Sequence, residues 1–375
     1  MRKRFVYLAV SKAVRLLVPV RRRCSLESVR NILVIGTGGV GDIVMKTPVF
    51  DHLKRAFPKA KIVFFTSSGP ERSIIEGHPG IDEIITLGGR EALTVRHPRQ
   101  VLAYLRKLRS RQFDMTLTTH QGIRFRGALM TYLIGAPIRV GFDKGGRGDL
   151  YTVRVEVADA DARHAVDWNL DLISALGIEV GKRELSLPLA AEDRQFASDF
   201  FAARGVDDLV VALFQGSKRV TRLWPDERFA AVGDALARRY HARILLLGGE
   251  RERATIEHTA SLMEEKPIVA IGQSITQTAA LIARSGLLVS TDSGPMHIAA
   301  AVGTPVVALF GPETPTRVRP YSVKSAVVRH AVPCSPCHDY GCRLGTIECM
   351  MRITPEDVLE TIQANAVAWG LTFRR

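Results

Sequence analysis

The sequence predicts an α/β protein of two Rossmann-like domains, each a doubly wound parallel sheet. Three observations carry this reading. The chain has 375 residues, which suits two domains at roughly 150 residues each. Short apolar runs alternate with helical stretches through both halves, as expected for a parallel sheet with helices on both faces. Each half also has an apolar run that ends in a glycine-bearing turn and then opens a helix, first at Gly36–Gly41 and again at Asp292–Pro295.

In chain order, residues 1–30 form a basic amphipathic segment. MRKRFVYLAVSKAVRLLVPVRRR has an apolar stretch interrupted by Lys12 and Arg15, and no small-residue cleavage site follows it. The apolar stretch is too short to span a bilayer. Phe5, Leu8, Ala9, Ala13, Leu16 and Leu17 fall near one helical face. Two readings follow: a helix on the inner face of the inner membrane with its arginines on anionic headgroups, or a helix packed on its own domain. With no export signal, the expected location is cytoplasmic.

Residues 31–180 read as the first domain. Strands are expected at 31–35, 61–66, 81–87, 113–118 and 151–157, with another starting at 139–141. Helices are expected at 43–56, 98–109, 124–134 and 164–176. A linker at 181–190 leads to the second domain, 191–354. There the strands are 209–214, 242–248, 268–271, 287–289 and 304–310, and the helices are 191–204, 225–240, 250–264, 277–283 and 295–302. Thr354-Pro355-Glu356-Asp357 caps a last helix, 355–369.

Net charge is +14, which suits an anionic partner: nucleic acid, lipid headgroups or phosphorylated sugars. No arginine-rich tail or aromatic RNA-binding motif is present, so nucleic acid is the weaker choice.

Gly36-x-Gly38-x-x-Gly41 follows a strand and opens a helix, which satisfies the dinucleotide fingerprint. An NAD site also wants a carboxylate at the end of the second strand to hold the ribose, and that end reads Thr66-Ser67-Ser68. The loop instead ends in Asp42. At a helix start this is either an acid favoured by the macrodipole or a general base. Backbone N–H groups of Gly38, Gly39 and Gly41 can approach a phosphate or sugar.

In the second half, Asp292-Ser293-Gly294-Pro295 breaks a strand and opens a helix. Free N–H groups, a hydroxyl and a close-approach glycine make such a start an anion site, and His297 lies on its first turn. The plainer alternative is an ordinary βαβ crossover.

The run Asp292-Ser293-Gly294-Pro295-Met296-His297-Ile298-Ala299-Ala300-Ala301, then Gly303-Thr304-Pro305 and Leu309-Phe310-Gly311-Pro312, closely resembles the hallmark of the lipopolysaccharide heptosyltransferases, glycosyltransferase family nine. The resemblance covers about residues 31–365. It implies the GT-B fold, two facing domains with a cleft between them, and inverting, metal-independent transfer from ADP-heptose. The last helix would cross back to the first domain. The acceptor would be lipopolysaccharide core or another lipid-linked glycan. Asp42 matches the family's proposed base.

The implied donor set is Ser217, Lys218, Arg222, Glu252 for the ribose, Gln273 near the adenine, and Asp292, Ser293, Gly294, Pro295, Met296 and His297. This chain departs from the family twice. Arg222 replaces a lysine before Trp224-Pro225, and Glu313-Thr314 replaces Thr-Asp after Gly-Pro. A guanidinium grips a diphosphate as a fork, where an ammonium acts as a point charge.

Cys334-x2-Cys337-x4-Cys342-x6-Cys349 is spaced either for a structural zinc site or for plain buried or redox-variable thiols. A similar segment occurs in family members. Two other function classes remain: an NAD-dependent oxidoreductase, and a non-catalytic nucleotide-sugar-binding protein.

Overall fold

Asn31–Ile35 forms the central strand of the first sheet, with Ile32, Leu33 and Val34 fully buried. Strands buried on both faces read as continuous apolar runs rather than alternations, because helices cover each side. The computed structural model describes residues 2–18, 24–66, 70–86, 98–119 and 125–371, and it divides into two units, Met1–Arg183 and Glu184–Arg375.

In the first unit the strands are β1 (Asn31–Ile35), β2 (Lys61–Thr66), β3 (Glu83–Thr86), β4 (Met115–Thr118), β5 (Ile138–Asp143) and β6 (Val153–Glu156). All pair in parallel, in the order β3-β2-β1-β4-β5-β6. The second unit contains β7 (Val210–Phe214), β8 (Arg243–Gly248), β9 (Ile268–Ile271), β10 (Leu287–Thr291), β11 (Val306–Leu309) and β12 (Ser325–Val328). Their order, β12-β11-β10-β7-β8-β9, is the same doubly wound arrangement. Strand order reverses between β1 and β4, and again between β7 and β10. In open α/β sheets, ligands bind beyond the carboxyl ends of the strands at such a switch point.

Several elements differ from the sequence reading. The helix expected over 43–56 is two helices, Val40–Val44 and Thr47–Ala56, joined by a turn at Met45 and Lys46. Pro48 is the cause, since it has no N–H to continue the ladder. The helix expected over 250–264 starts as a tight 3-10 turn, Glu250–Glu252, and continues as Arg253–Leu262. Strand β12 and the short helices Pro315–Val318 and Glu348–Met351 have no counterpart in the sequence reading.

The last helix, Pro355–Trp369, was expected to cross back to the first domain. Its Val358, Ile362, Ala366 and Trp369 pack with Phe229 and Leu236 in the core of the second unit.

The N-terminal helix, Arg2–Leu17, packs on its own unit by a different face from the one expected. Tyr7 stacks on Phe125 with ring centroids 5.1 Å apart, and Val14 and Val18 meet the cluster of Ala128, Tyr132, Leu150 and Tyr151. The Tyr132 hydroxyl donates to the Val18 carbonyl at 3.0 Å, and Arg15 pairs with Asp149 at 3.2 Å. Leu16 and Leu17, 86% and 79% exposed, point outward with Val6 and Lys12. Among the described residues no helix is long and apolar enough to cross a membrane.

Candidate functional site

Both glycine-bearing turns lie where the topology places ligands. The first follows β1. Gly38 has φ +142°, and a Cβ there would stand 2.4 Å from the Cβ of Asp42, so the turn requires glycine. The carboxylate of Asp42 folds back to accept the Gly39 N–H at 2.9 Å, and Asp42 is otherwise exposed. Lys46 lies beneath the turn, buried, and donates to the Asp42 carbonyl at 2.6 Å. Sequence reasoning passed over it, although a lone lysine within Val44-Met45-Lys46-Thr47-Pro48-Val49 is a visible anomaly. His120, Gln121 and Gly122, after β4, lie outside the described residues, as do Ser67 and Ser68 after β2.

The second turn follows β10, beside the loop that follows β7. The hydroxyl of Thr291 donates to the Gly216 carbonyl at 2.8 Å and ties the two together. Ser293 precedes the helix Gly294–Val302, and its hydroxyl donates to the Thr291 carbonyl at 3.1 Å. Ser293, Gly294 and Pro295 are partly exposed, whereas Asp292, Met296 and His297 are buried, Met296 completely. Lys218 is exposed, and Ser217 is half-buried.

Arg222 is already committed. Its guanidinium donates to the Asp292 carbonyl at 3.0 Å and to Glu313 Oε1 at 2.8 Å, and its Nε lies 3.3 Å from Asp292 Oδ2. Glu313, 4% exposed, also binds Arg219 and receives His338 Nδ1 at 2.7 Å. Burial alone would raise the Glu313 carboxyl. Hydrogen bonds from His338 and Arg222 and the charges of Arg222 and Arg219 outweigh it and hold the group below its ordinary value. Two arginines thus meet two carboxylates, Asp292 and Glu313, so the Arg222 guanidinium is engaged by protein groups. Sequence reasoning marked Glu313 only as a departure from family pattern and missed Arg219 and His338. Arg219 reaches Glu313 across 94 positions of sequence and His338 reaches it across 25, beyond the reach of any local motif.

Glu252 closes a turn after β8 in the same way Asp42 does after β1, accepting the Gly249 N–H at 3.0 Å. Its Cγ would lie 2.6 Å from a Cβ at Gly216, so it borders the loop after β7. The neighbouring acid Glu250 is exposed and paired twice with Arg253 at 2.8 Å. Gln273 is half-buried, and Ser274 caps the helix Ile275–Arg284 by accepting the Gln277 N–H at 3.1 Å.

Cys334, Cys337, Cys342 and Cys349 line one cavity of about 320 Å³. Backbone N–H groups of Ile347, Leu344, Thr346 and Gly345 lower the Cys342 thiol, with Ile347 leading. Burial, followed by the three other thiols, raises Cys349. Among the described residues, however, no three His, Cys, Asp or Glu side chains stand where they could hold a metal ion. The segment is tied to the loops after β11 and β7: the Cys337 and His338 N–H groups both donate to Pro312 O at 3.0 Å, and Thr221 Oγ1 donates to Asp339 O at 3.0 Å.

The family model of glycosyltransferase family 9 (heptosyltransferase) matches residues 101–348. The chain belongs to that family. It is a glycosyltransferase with the GT-B architecture of two Rossmann-like units. A curated relative, lipopolysaccharide heptosyltransferase 3 of Escherichia coli K12, is 27% identical over 289 residues, covering 75% of this chain and 83% of the relative. The crystal structure of a family 9 glycosyl transferase from Veillonella parvula superposes with a TM-score of 0.78 at 25% identity, covering 92% of this chain and 99% of that one. Escherichia coli heptosyltransferase WaaC with ADP-2-deoxy-2-fluoro heptose shares the fold, with a TM-score of 0.68 at 19% identity over 90% of this chain and 100% of that one. The family 9 assignment weighs against an NAD-dependent oxidoreductase, and β2 of this transferase ends in a buried threonine, Thr66, rather than an acid.

Proposed function

We propose that this family 9 enzyme moves a heptose from ADP-heptose, with inversion, onto a lipopolysaccharide core or other lipid-linked acceptor. The observation that carries this reading is positional. In both units the glycine-bearing turn follows a switch-point strand, β1 in one and β10 in the other, in identical strand orders. Relatives named for lipopolysaccharide heptosyl transfer, and a WaaC structure with an ADP-heptose analogue, support the donor and acceptor.

In this reading residues 31–180 bind the acceptor and 191–354 the donor. Asp42 takes the proton of the attacking hydroxyl as its oxygen bonds the sugar's anomeric carbon from the face opposite the diphosphate, and the bond to the diphosphate breaks to release ADP. The helix start at Ser293, Gly294 and Pro295, with Ser217 and Lys218, receives the diphosphate. Asp292 and Arg222 hold that turn in place, with Met296 and His297 packed beneath it. Glu252 accepts the ribose hydroxyls, and Gln273 borders the adenine. Gly38, Gly39 and Gly41 let the acceptor approach the loop. The leaving diphosphate needs no metal, because its charge is met by Lys218 and the helix dipole. The enzyme works as a peripheral protein on the cytoplasmic face of the inner membrane, its N-terminal helix presenting Leu16, Leu17 and Lys12 to anionic lipid.

The test is incubation of purified protein with ADP-heptose and heptose-deficient lipopolysaccharide. The proposal expects acceptor-dependent ADP release and an acceptor heavier by one heptose in the mass spectrum. ADP-heptose binding without either product would leave a nucleotide-sugar-binding protein in its place.

A further inference from the structure

Lys46 is 3% exposed, and its stem runs against Gly36, where a Cβ would lie 3.0 Å from both its Cδ and Cε. Its neighbours Val44, Thr47 and Val49 are fully buried. Burying an ammonium costs several kcal/mol unless its donors are used, and an apolar residue would fill this place without that cost. The ammonium donates instead to two backbone carbonyls, Asp42 O at 2.6 Å and Thr37 O at 3.4 Å. These carbonyls sit at the two ends of the glycine turn.

The backbone explains the first bond. In a continuous helix the Lys46 N–H would bond the Asp42 carbonyl. Here it bonds Ile43 O at 2.9 Å, because the chain turns before Pro48. The Asp42 carbonyl is left without its helical donor, and the side chain of the same residue, Lys46, supplies one.

We propose that Lys46 is a positioning residue of the transferase: its buried ammonium ties Thr37 to Asp42 across the glycine turn and so fixes where the Asp42 carboxylate stands. The inference rests on Asp42 being the base. Loss of the ammonium's proton does not by itself unmake a donor, but it weakens both bonds, since charged donors make the stronger hydrogen bonds. Burial pushes the Lys46 amine below its ordinary value, against an upward pull from Asp42, the charged group that acts on it among the described residues. Turnover should therefore fall on the alkaline side as Lys46 deprotonates.

Lys46→Met and Lys46→Gln are the variants, read by kcat, KM, pH profile and hydrogen exchange of residues 36–45. The glutamine keeps a donor and most of the volume, and carries the test if the methionine does not fold. Both should keep ADP affinity and the KM for ADP-heptose, and both should exchange the turn amides faster. Their kcat should fall at least tenfold and lose the alkaline decline of the wild type. Unchanged exchange, or a reduced kcat with the alkaline decline unmoved, would overturn the proposal. Asp42→Asn in the same series separates the two readings. If that variant turns over normally, the base assignment fails, while exchange in the Lys46 variants still reports whether the turn is clamped.

Discussion

Glu313 Oε1 accepts the Arg222 guanidinium at 2.8 Å, joining the end of β11 to the loop after β7 across 91 positions of sequence separation. The contact joins Arg222, which the sequence reading assigns to the diphosphate, to the groups that frame the loop after β7. Removing one member of a buried ion pair leaves the other uncompensated, at a cost of roughly 3–5 kcal/mol. Glu313→Ala should therefore lower thermal stability by roughly that amount and weaken ADP binding, as measured by calorimetry. A variant with wild-type melting and ADP affinity would show that the pair frames nothing.

The same residue gives a pH dependence of stability. Glu313 has a depressed value in the fold, so its contribution is fully present above the ordinary glutamate value near 4.5 and is lost as pH falls through the lower folded value. Denaturant melts of wild type should lose stability over that acidic window. Glu313→Gln should show a shallower loss there, and parallel curves would count against the assignment.

Gly38 is held at φ +142° against the Asp42 side chain. Gly38→Ala should cost about 1–3 kcal/mol in backbone strain and displace Asp42, so turnover should fall further than stability does. Normal kcat in this variant would mean that the carboxylate need not stand where the turn puts it.

The exposed pair Leu16 and Leu17 supplies a test that leaves the packed face of the N-terminal helix intact. Leu16→Ser with Leu17→Ser should reduce co-sedimentation with anionic vesicles and leave binding of ADP unchanged. Salt should weaken the wild-type association through screening. Equal sedimentation of both proteins would remove the membrane role.

Much of this molecule was legible because its central strands are buried on both faces and read as unbroken apolar runs. The turns Gly36–Asp42 and Asp292–Pro295 announced themselves through glycine, proline and an acid at a strand end, features that act over a few residues. Distance hid the rest. The Arg219–Glu313–His338 cluster joins three separate stretches, and the charge that fills Arg222 comes from residues no spacing rule connects to it. The packed face of the N-terminal helix depends on Phe125 and Tyr132, which a helical wheel of residues 1–23 does not contain. Lys46 was hidden differently: helical periodicity continued past it, and the break before Pro48 that gives its ammonium a carbonyl to hold was assigned to a continuous helix.

The most direct measurement compares wild type with Asp42→Asn for ADP release in the presence of ADP-heptose and acceptor, with ADP affinity and melting temperature measured on the same samples. General-base catalysis contributes about 10²–10⁴-fold. The asparagine variant should therefore melt and bind ADP like the wild type, with turnover reduced by about that factor. Turnover within a few-fold of wild type would contradict the assignment of the base on which the proposed chemistry depends.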